Sequence, residues 1–324
     1  MMLDLFKSDL EEGQLHSNFV WLMSEEDEAM RDVLRDWADG FIDRDGKFVE
    51  EFQRTFNSSW WELYLHAVLK SLGIQVDFSF NAPDFVAPDA NLAVEAVISS
   101  HGQGMTPEWE KTIDDLTNRG EIGQRYLESL VRLSNSIDSK VRRYRDRYAR
   151  LPHIKGMAYV IAIHNFATPD AHQLGDVAMQ RLLYDVWDEG AFLKGGRVPL
   201  PTGLFLDDRM SEVSGVLFSS IATYGKVRAL SNSKGEFIFQ AIRIRNNAEL
   251  IHIVERKPDY EESLRDGLRL FHNPNAAHPL DSRLFRKDDI REFKMVGGEL
   301  WSTCHPDGDL CMRQVHAIKT QHSE

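Results

Sequence analysis

Three carboxylates in one 40-residue stretch carry the chemistry a reader meets first. Trp60 to Ser99 contains Glu62 early in an apolar helix, Asp84 in the tripeptide Pro83-Asp84-Phe85, and Glu95 within the apolar run Val94-Glu95-Ala96-Val97. A charge in the middle of a buried strand is costly unless something compensates it. A divalent cation is one such compensation, and Asp and Glu oxygens are the usual ligands of magnesium. Downstream, Ser139 to Arg150 holds six bases (Lys140, Arg142, Arg143, Arg145, Arg147 and Arg150) against one acid, Asp146. Bases on one helix face suit phosphate binding, with Tyr144 and Tyr148 packing below or stacking on bases. The competing reading of that run is a solvated helix face.

The elements that must position these groups follow from pattern. Asn57, Ser58 and Ser59 offer N-cap oxygens, Gly73 a stop, and Trp60, Leu63, Tyr64, Ala67, Val68 and Leu72 recur at helical spacing. The spacing predicts a helix over 58–72. Ile74 to Phe78 alternates and reads as a strand, Asp84 to Val86 as a short one, and Leu92 to Ile98 as the central one. On that central strand Ala93, Glu95, Val97 and Ser99 share one face and Val94, Ala96 and Ile98 the other. Neighbouring strands then set Asp84 beside Glu95, and the first turns of the helix bring Glu62 to them. Ile122 to Arg150 reads as one long helix on which Ser136, Lys140, Arg143 and Arg147 share a face. Met157 to Ile163 is an unbroken apolar run, the mark of a strand buried on both faces.

A helix Glu, then Pro-Asp, then a strand Glu in this order resembles the restriction-endonuclease-like superfamily, the PD-(D/E)XK nucleases. The turn Leu270 to Leu280, with Ser219-Ser220 and Val213 to Phe218, is similar to uncharacterised bacterial proteins that carry such a core. The resemblance implies an α/β fold whose core is a helix, a three-stranded meander, a helix and a strand. It implies that Asp84 and Glu95 bind Mg²⁺ or Mn²⁺ with Glu62 assisting, and that the polymer cut is nucleic acid, DNA before RNA. It further implies a homodimer cutting both strands and a place in bacterial defence. One position departs from the pattern. The family's lysine falls two residues after Glu95, where this chain has Val97. Some members take the base from the following helix, which offers Lys140 as the fourth catalytic residue. Arg143 and Arg147 become the phosphate contacts, and His101, in the loop after the Glu95 strand, a substrate contact. The alternative is a degenerate core that binds nucleic acid or scaffolds without cutting. A hydrolase for a small phosphate or sugar using the same carboxylates is a third reading.

Composition sets the frame. The 324 residues are 42% hydrophobic, enough for a sizeable core. Two cysteines, Cys304 and Cys311, make no disulfide framework, so a reducing cytoplasm is expected. No signal peptide or 18-residue apolar run is visible, so no membrane span is expected. Cys304-His305, Cys311 and His316 match no usual zinc spacing. The net charge of −13 looks wrong for a nucleic-acid enzyme, yet residues 1–51 carry −10 of it and the remainder only −3. That acidic segment is a solvated helical cap, a surface for a protein partner, or a cover over a basic cleft. Four regions are expected: an acidic helical N-terminal extension over 1–50, the nuclease-like core over 51–190, a β-rich extension over 191–300, and a polar tail over 301–324. Trp109 to Gly120 is polar and is expected to be a helix or an excursion with a loop, and His164-Asn165 to sit at a strand exit.

Overall fold

The computed structural model describes residues 3–8, 10–24, 28–110, 112, 122–168, 170–186, 193–194, 198–233 and 237–317. Most of the expected excursion over 109–120 therefore lies outside the described residues. Three helices, α1 (Ser17–Ser24), α2 (Ala29–Ala38) and α3 (Phe48–Arg54), lead into α4 (Asn57–Ser71). Then come β1 (Phe85–Ala87), β2 (Leu92–Ser100), α5 (Ile122–Asp146), β3 (Ala158–Phe166) and α6 (Val177–Tyr184). A two-residue pair, β4 (Leu193–Lys194) and β5 (Val198–Pro199), precedes β6 (Gly215–Ser219) and α7 (Tyr224–Leu230). The chain continues through β7 (Phe237–Ile244), β8 (Leu250–Arg256), β9 (Leu268–His272), β10 (Ile290–Val296), β11 (Glu299–Ser302) and β12 (Asp309–Ala317).

The fold is mixed α/β. Its main sheet has seven strands in the order β1-β2-β3-β6-β9-β10-β11. The pairs β2-β3, β3-β6 and β9-β10 are parallel, and β1-β2, β6-β9 and β10-β11 antiparallel. A second antiparallel sheet runs β12-β7-β8. The strand β12 takes up nine residues (309–317) of the expected polar tail, with Leu310 and Arg313 buried. Arg313 breaks the apolar pattern in the sequence and is tolerable only because Glu262 and Ile221 O meet it.

Helices cover both faces of the main sheet. Leu92, Val94 and Ala96 of β2 belong to one apolar cluster with α4, while Ala93 and Val97 belong to another with Leu130, Leu133, Ile137 and Val141 of α5. Alternation along a strand turns a single segment into two interfaces. The first cluster runs from Leu5 to Ile290, across the boundaries expected at 50 and 190. Trp37 of α2 packs edge-on against Trp60 and Tyr64 of α4, with ring centroids 5.5 and 5.4 Å apart. Long-range hydrogen bonds tie α4 further. Trp60 Nε1 donates to Ala222 O, Trp61 Nε1 to Ala162 O, and Tyr64 Oη to Leu264 O, the last spanning 200 residues.

Two local expectations are corrected. No Asn or Ser side chain caps α4: Phe56 stands at the N-cap with φ 41°, and Asn57 is already helical. The Asn57 amide is used sideways instead, donating to Glu108 Oε2 at 2.9 Å. The expected strand over 74–78 is absent. Asp77 accepts the Ser79 N–H and turns the chain there, so pairing with β1 shrinks to one bond, Asp77 N–H to Val86 O. The stop at Gly73 is as expected: φ is 74°, and the Ile74 N–H closes back on Leu69 O.

Candidate active site

The register Phe85↔Val94, Val86↔Ala93, Ala87↔Leu92 continues one step to set Asp84 opposite Glu95. Directly opposed residues share a face, with Cβ atoms about 5 Å apart. The two carboxylates are therefore neighbours on the α5 side of the sheet. Asp84 Oδ2 accepts the Ala96 N–H at 2.7 Å, which anchors it just beyond the end of β1.

Glu95 is fully buried, and α5 supplies its counter-charge. Lys140 Nζ lies 2.6 Å from Glu95 Oε1, and Arg143 Nη1 reaches the same oxygen at 3.2 Å. Lys140 is nearly buried and Arg143 half exposed. Glu95 Oε2 is buried without a hydrogen-bond partner. Val97, two residues on and on the same face, is only packing. The ammonium thus stands beside Glu95, but from the helix and not the strand.

Electrostatics separate the three acids. Burial, then the charge of Glu95, lifts the Asp84 carboxyl to about 6, against the pull of Lys140 and the Ala96 N–H. Burial, then Asp84, lifts Glu62 to about 8. Glu62 sits on α4, the helix of the opposite face, and senses Asp84 more than Glu95, but it is not gathered with them into the three-carboxylate metal cage that the sequence suggested. Arg44 opposes both shifts, and nothing in its turn sequence marked it beforehand. Tyr159 was also missed. Its hydroxyl is buried without a hydrogen-bond partner, and burial followed by Glu95 pushes its pKa well up. The signal was there: one hydroxyl in an otherwise apolar run.

Other expected residues lie elsewhere. His101 packs edge-on to Trp109 with ring centroids 5.3 Å apart. It is six residues beyond Glu95 along the chain, about 20 Å of strand, and so does not join the carboxylates. Arg147 is exposed just past the end of α5. His164 and Asn165 lie inside β3 and are buried, not at a rim. Burial holds the His164 imidazole down to about 3, so it is neutral.

Two carboxylates, one with an unpartnered buried oxygen, fit a magnesium ion, which keeps several waters and often takes only one or two carboxylates. A fuller cage is absent: among the described residues no three His, Cys, Asp or Glu side chains are gathered to hold a metal. No family model, no curated protein and no solved structure matches this chain.

Proposed function

We propose a metal-dependent phosphodiesterase acting on nucleic acid, DNA before RNA. The observation that carries the reading is Lys140 Nζ at 2.6 Å from the buried Glu95, beside Asp84, where Val97 leaves the strand without a base. The succession α4, β1, β2, α5, β3 supports it, being a helix, a shortened meander, a helix and a parallel strand. Asp84 and the buried, unpartnered oxygen of Glu95 would hold Mg²⁺ or Mn²⁺. When bound, such an ion lowers the pKa of a water and neutralises charge on the scissile phosphate.

The chain's own groups have the following tasks. Lys140 fixes the Glu95 carboxylate and brings positive charge to the phosphate as negative charge develops. Arg143, half exposed and reaching Glu95 Oε1 at 3.2 Å, meets a flanking phosphate. Burial, then the charge of Asp84, raises the Glu62 carboxyl, which disfavours a third negative charge beside the pair. A rival reading, a nuclease-like core that binds without cutting, is favoured by the convergence of both cations on Glu95 Oε1.

The test is incubation with plasmid and single-stranded DNA, with Mg²⁺, Mn²⁺ or EDTA. Metal-dependent cutting that falls to background in Asp84→Ala and Glu95→Ala is expected. Undiminished cutting by both variants ends the proposal. Mn²⁺ binding lost in Glu95→Gln separates the enzyme from the scaffold.

A further inference from the structure

A second concave site lies away from the carboxylates. It is a cavity of about 230 Å³ between α1, the start of α4, Glu108-Trp109, α7 and the end of β12. Phe166 in its wall is five residues beyond Ile161, the strand partner of Glu95. That spacing is about 17 Å of strand.

The walls are aromatic and rigid. Phe56 stacks on Trp60 (5.2 Å, 29°), and Trp60 on Tyr224 (6.2 Å, 21°). The Trp60 indole cannot swing, because its N–H is held by Ala222 O. Trp109 is pinned edge-on by His16 at 4.4 Å, and His16 stacks on Phe56. Burial keeps His16 down to about 4, so its ring is neutral at neutral pH, while Arg228 and Arg313 bring positive charge to the α7 and β12 side of the cavity. Trp21, 58% exposed, stands at the mouth, one turn after Asn18 on α1.

A hydrogen-bonding edge runs along the same cavity. Asn18 Nδ2 donates to Asn57 Oδ1 at 3.3 Å, and Asn57 Nδ2 to Glu108 Oε2 at 2.9 Å. This chain leaves the Asn18 oxygen and the second Glu108 oxygen without a hydrogen bond among the described residues. The Phe56–Trp60–Tyr224 stack forms a fixed floor, so the exposed indole of Trp21 and the open acceptors on one edge are what suit a planar heterocycle that donates from an exocyclic amine. Carboxylates and amides read bases in this way, and aromatic stacking accepts any base.

We propose that this cavity binds a single amino-bearing nucleobase, presented by a free nucleoside monophosphate or by an unpaired nucleotide of a single strand. Adenine, cytosine and guanine carry that amine, whereas uracil and thymine do not. The full chain, in EDTA so that binding is read apart from cleavage, is titrated with AMP, CMP, GMP and UMP. Indole fluorescence and calorimetry report the binding. Saturable quenching by at least one amino nucleotide, and weaker binding of UMP, are expected. Trp21→Ala should weaken binding about tenfold or more, Trp21→Phe should keep most of it, and Glu108→Gln should erase the discrimination against UMP. A short oligonucleotide of the preferred base that binds more tightly assigns the base to a single strand. Equal binding assigns it to the free nucleotide. No saturable binding of any of the four at millimolar concentration overturns the proposal, as does a folded Trp21→Ala protein that binds like the parent.

Discussion

Glu62 makes a prediction from proton bookkeeping alone. Its carboxyl titrates near 4.5 when unfolded and near 8 when folded. Between those values the folded chain keeps a proton that the unfolded chain has lost, so stability falls as pH rises from about 4.5 to 8 and then levels. Asp84, lifted to about 6, adds to the lower part of the same window. Glu62→Gln should therefore be more stable than the parent at pH 8 and show a shallower slope, read from urea midpoints across pH. An unchanged slope would mean that Glu62 ionises freely. At Glu95 the counter-charge is the issue. Lys140→Ala leaves only half-exposed Arg143 on a buried carboxylate and should cost about 2 kcal/mol in urea. Under the proposed function it also lowers cleavage about 100-fold or more. Val97→Lys added to Lys140→Ala puts a base on the same face of β2 and should restore part of the rate. A double variant no faster than Lys140→Ala would deny Lys140 its catalytic role and leave it an ion-pair partner.

Among the elements, legibility followed pattern strength. The long stripe of α5 and the unbroken apolar run of β3 appear within a few residues of their expected bounds, because burial of a whole face dictates both. The alternation of Ile74 to Phe78 misled. Of those five residues only Ile74 is buried, and Asp77 turns its backbone away. The strands β9, β10 and β12 were hidden because charges interrupt them: Arg269, Arg291, Glu292 and Arg313 read as surface but are ion-paired inside. The Asp84–Glu95 juxtaposition was legible from face alternation. The cavity beside Trp60 was not, since it unites α1, Glu108 and β12, segments up to about 300 residues apart. One buried triad shows what such pairing costs when broken. Lys226 and Arg313 both meet Glu262, and all three side chains are essentially inaccessible. Glu262→Gln strands two cations and should destabilise by about 4 kcal/mol. A loss below 1 kcal/mol in a denaturant melt would show that water reaches them.

For the molecule as a whole, the acidic N-terminal segment is built in. Leu5, Phe19, Leu22, Met30, Leu34 and Trp37 share one core with α4, so its charge lies on the outside of a structural layer. Removing residues 1–45 strips that layer and exposes Trp60 and Tyr64. The expected product is insoluble or unfolded protein, judged by gel filtration and near-ultraviolet dichroism. A soluble, folded deletion with faster cleavage would instead mark the segment as a cover. No helix among the described residues is long and apolar enough to cross a membrane.

The three hydrogen bonds that anchor α4 also bear on how the molecule comes together. Their acceptors, Ala162, Ala222 and Leu264, are 101, 162 and 200 residues downstream. The helix can coil from its local sequence, yet its indoles and phenol wait for distant chain to arrive. Closing such spans is entropically slow. Refolding after dilution from urea should therefore regain helical dichroism well before the tryptophan emission reaches its native wavelength. The interval between the two signals is the time taken to close those loops.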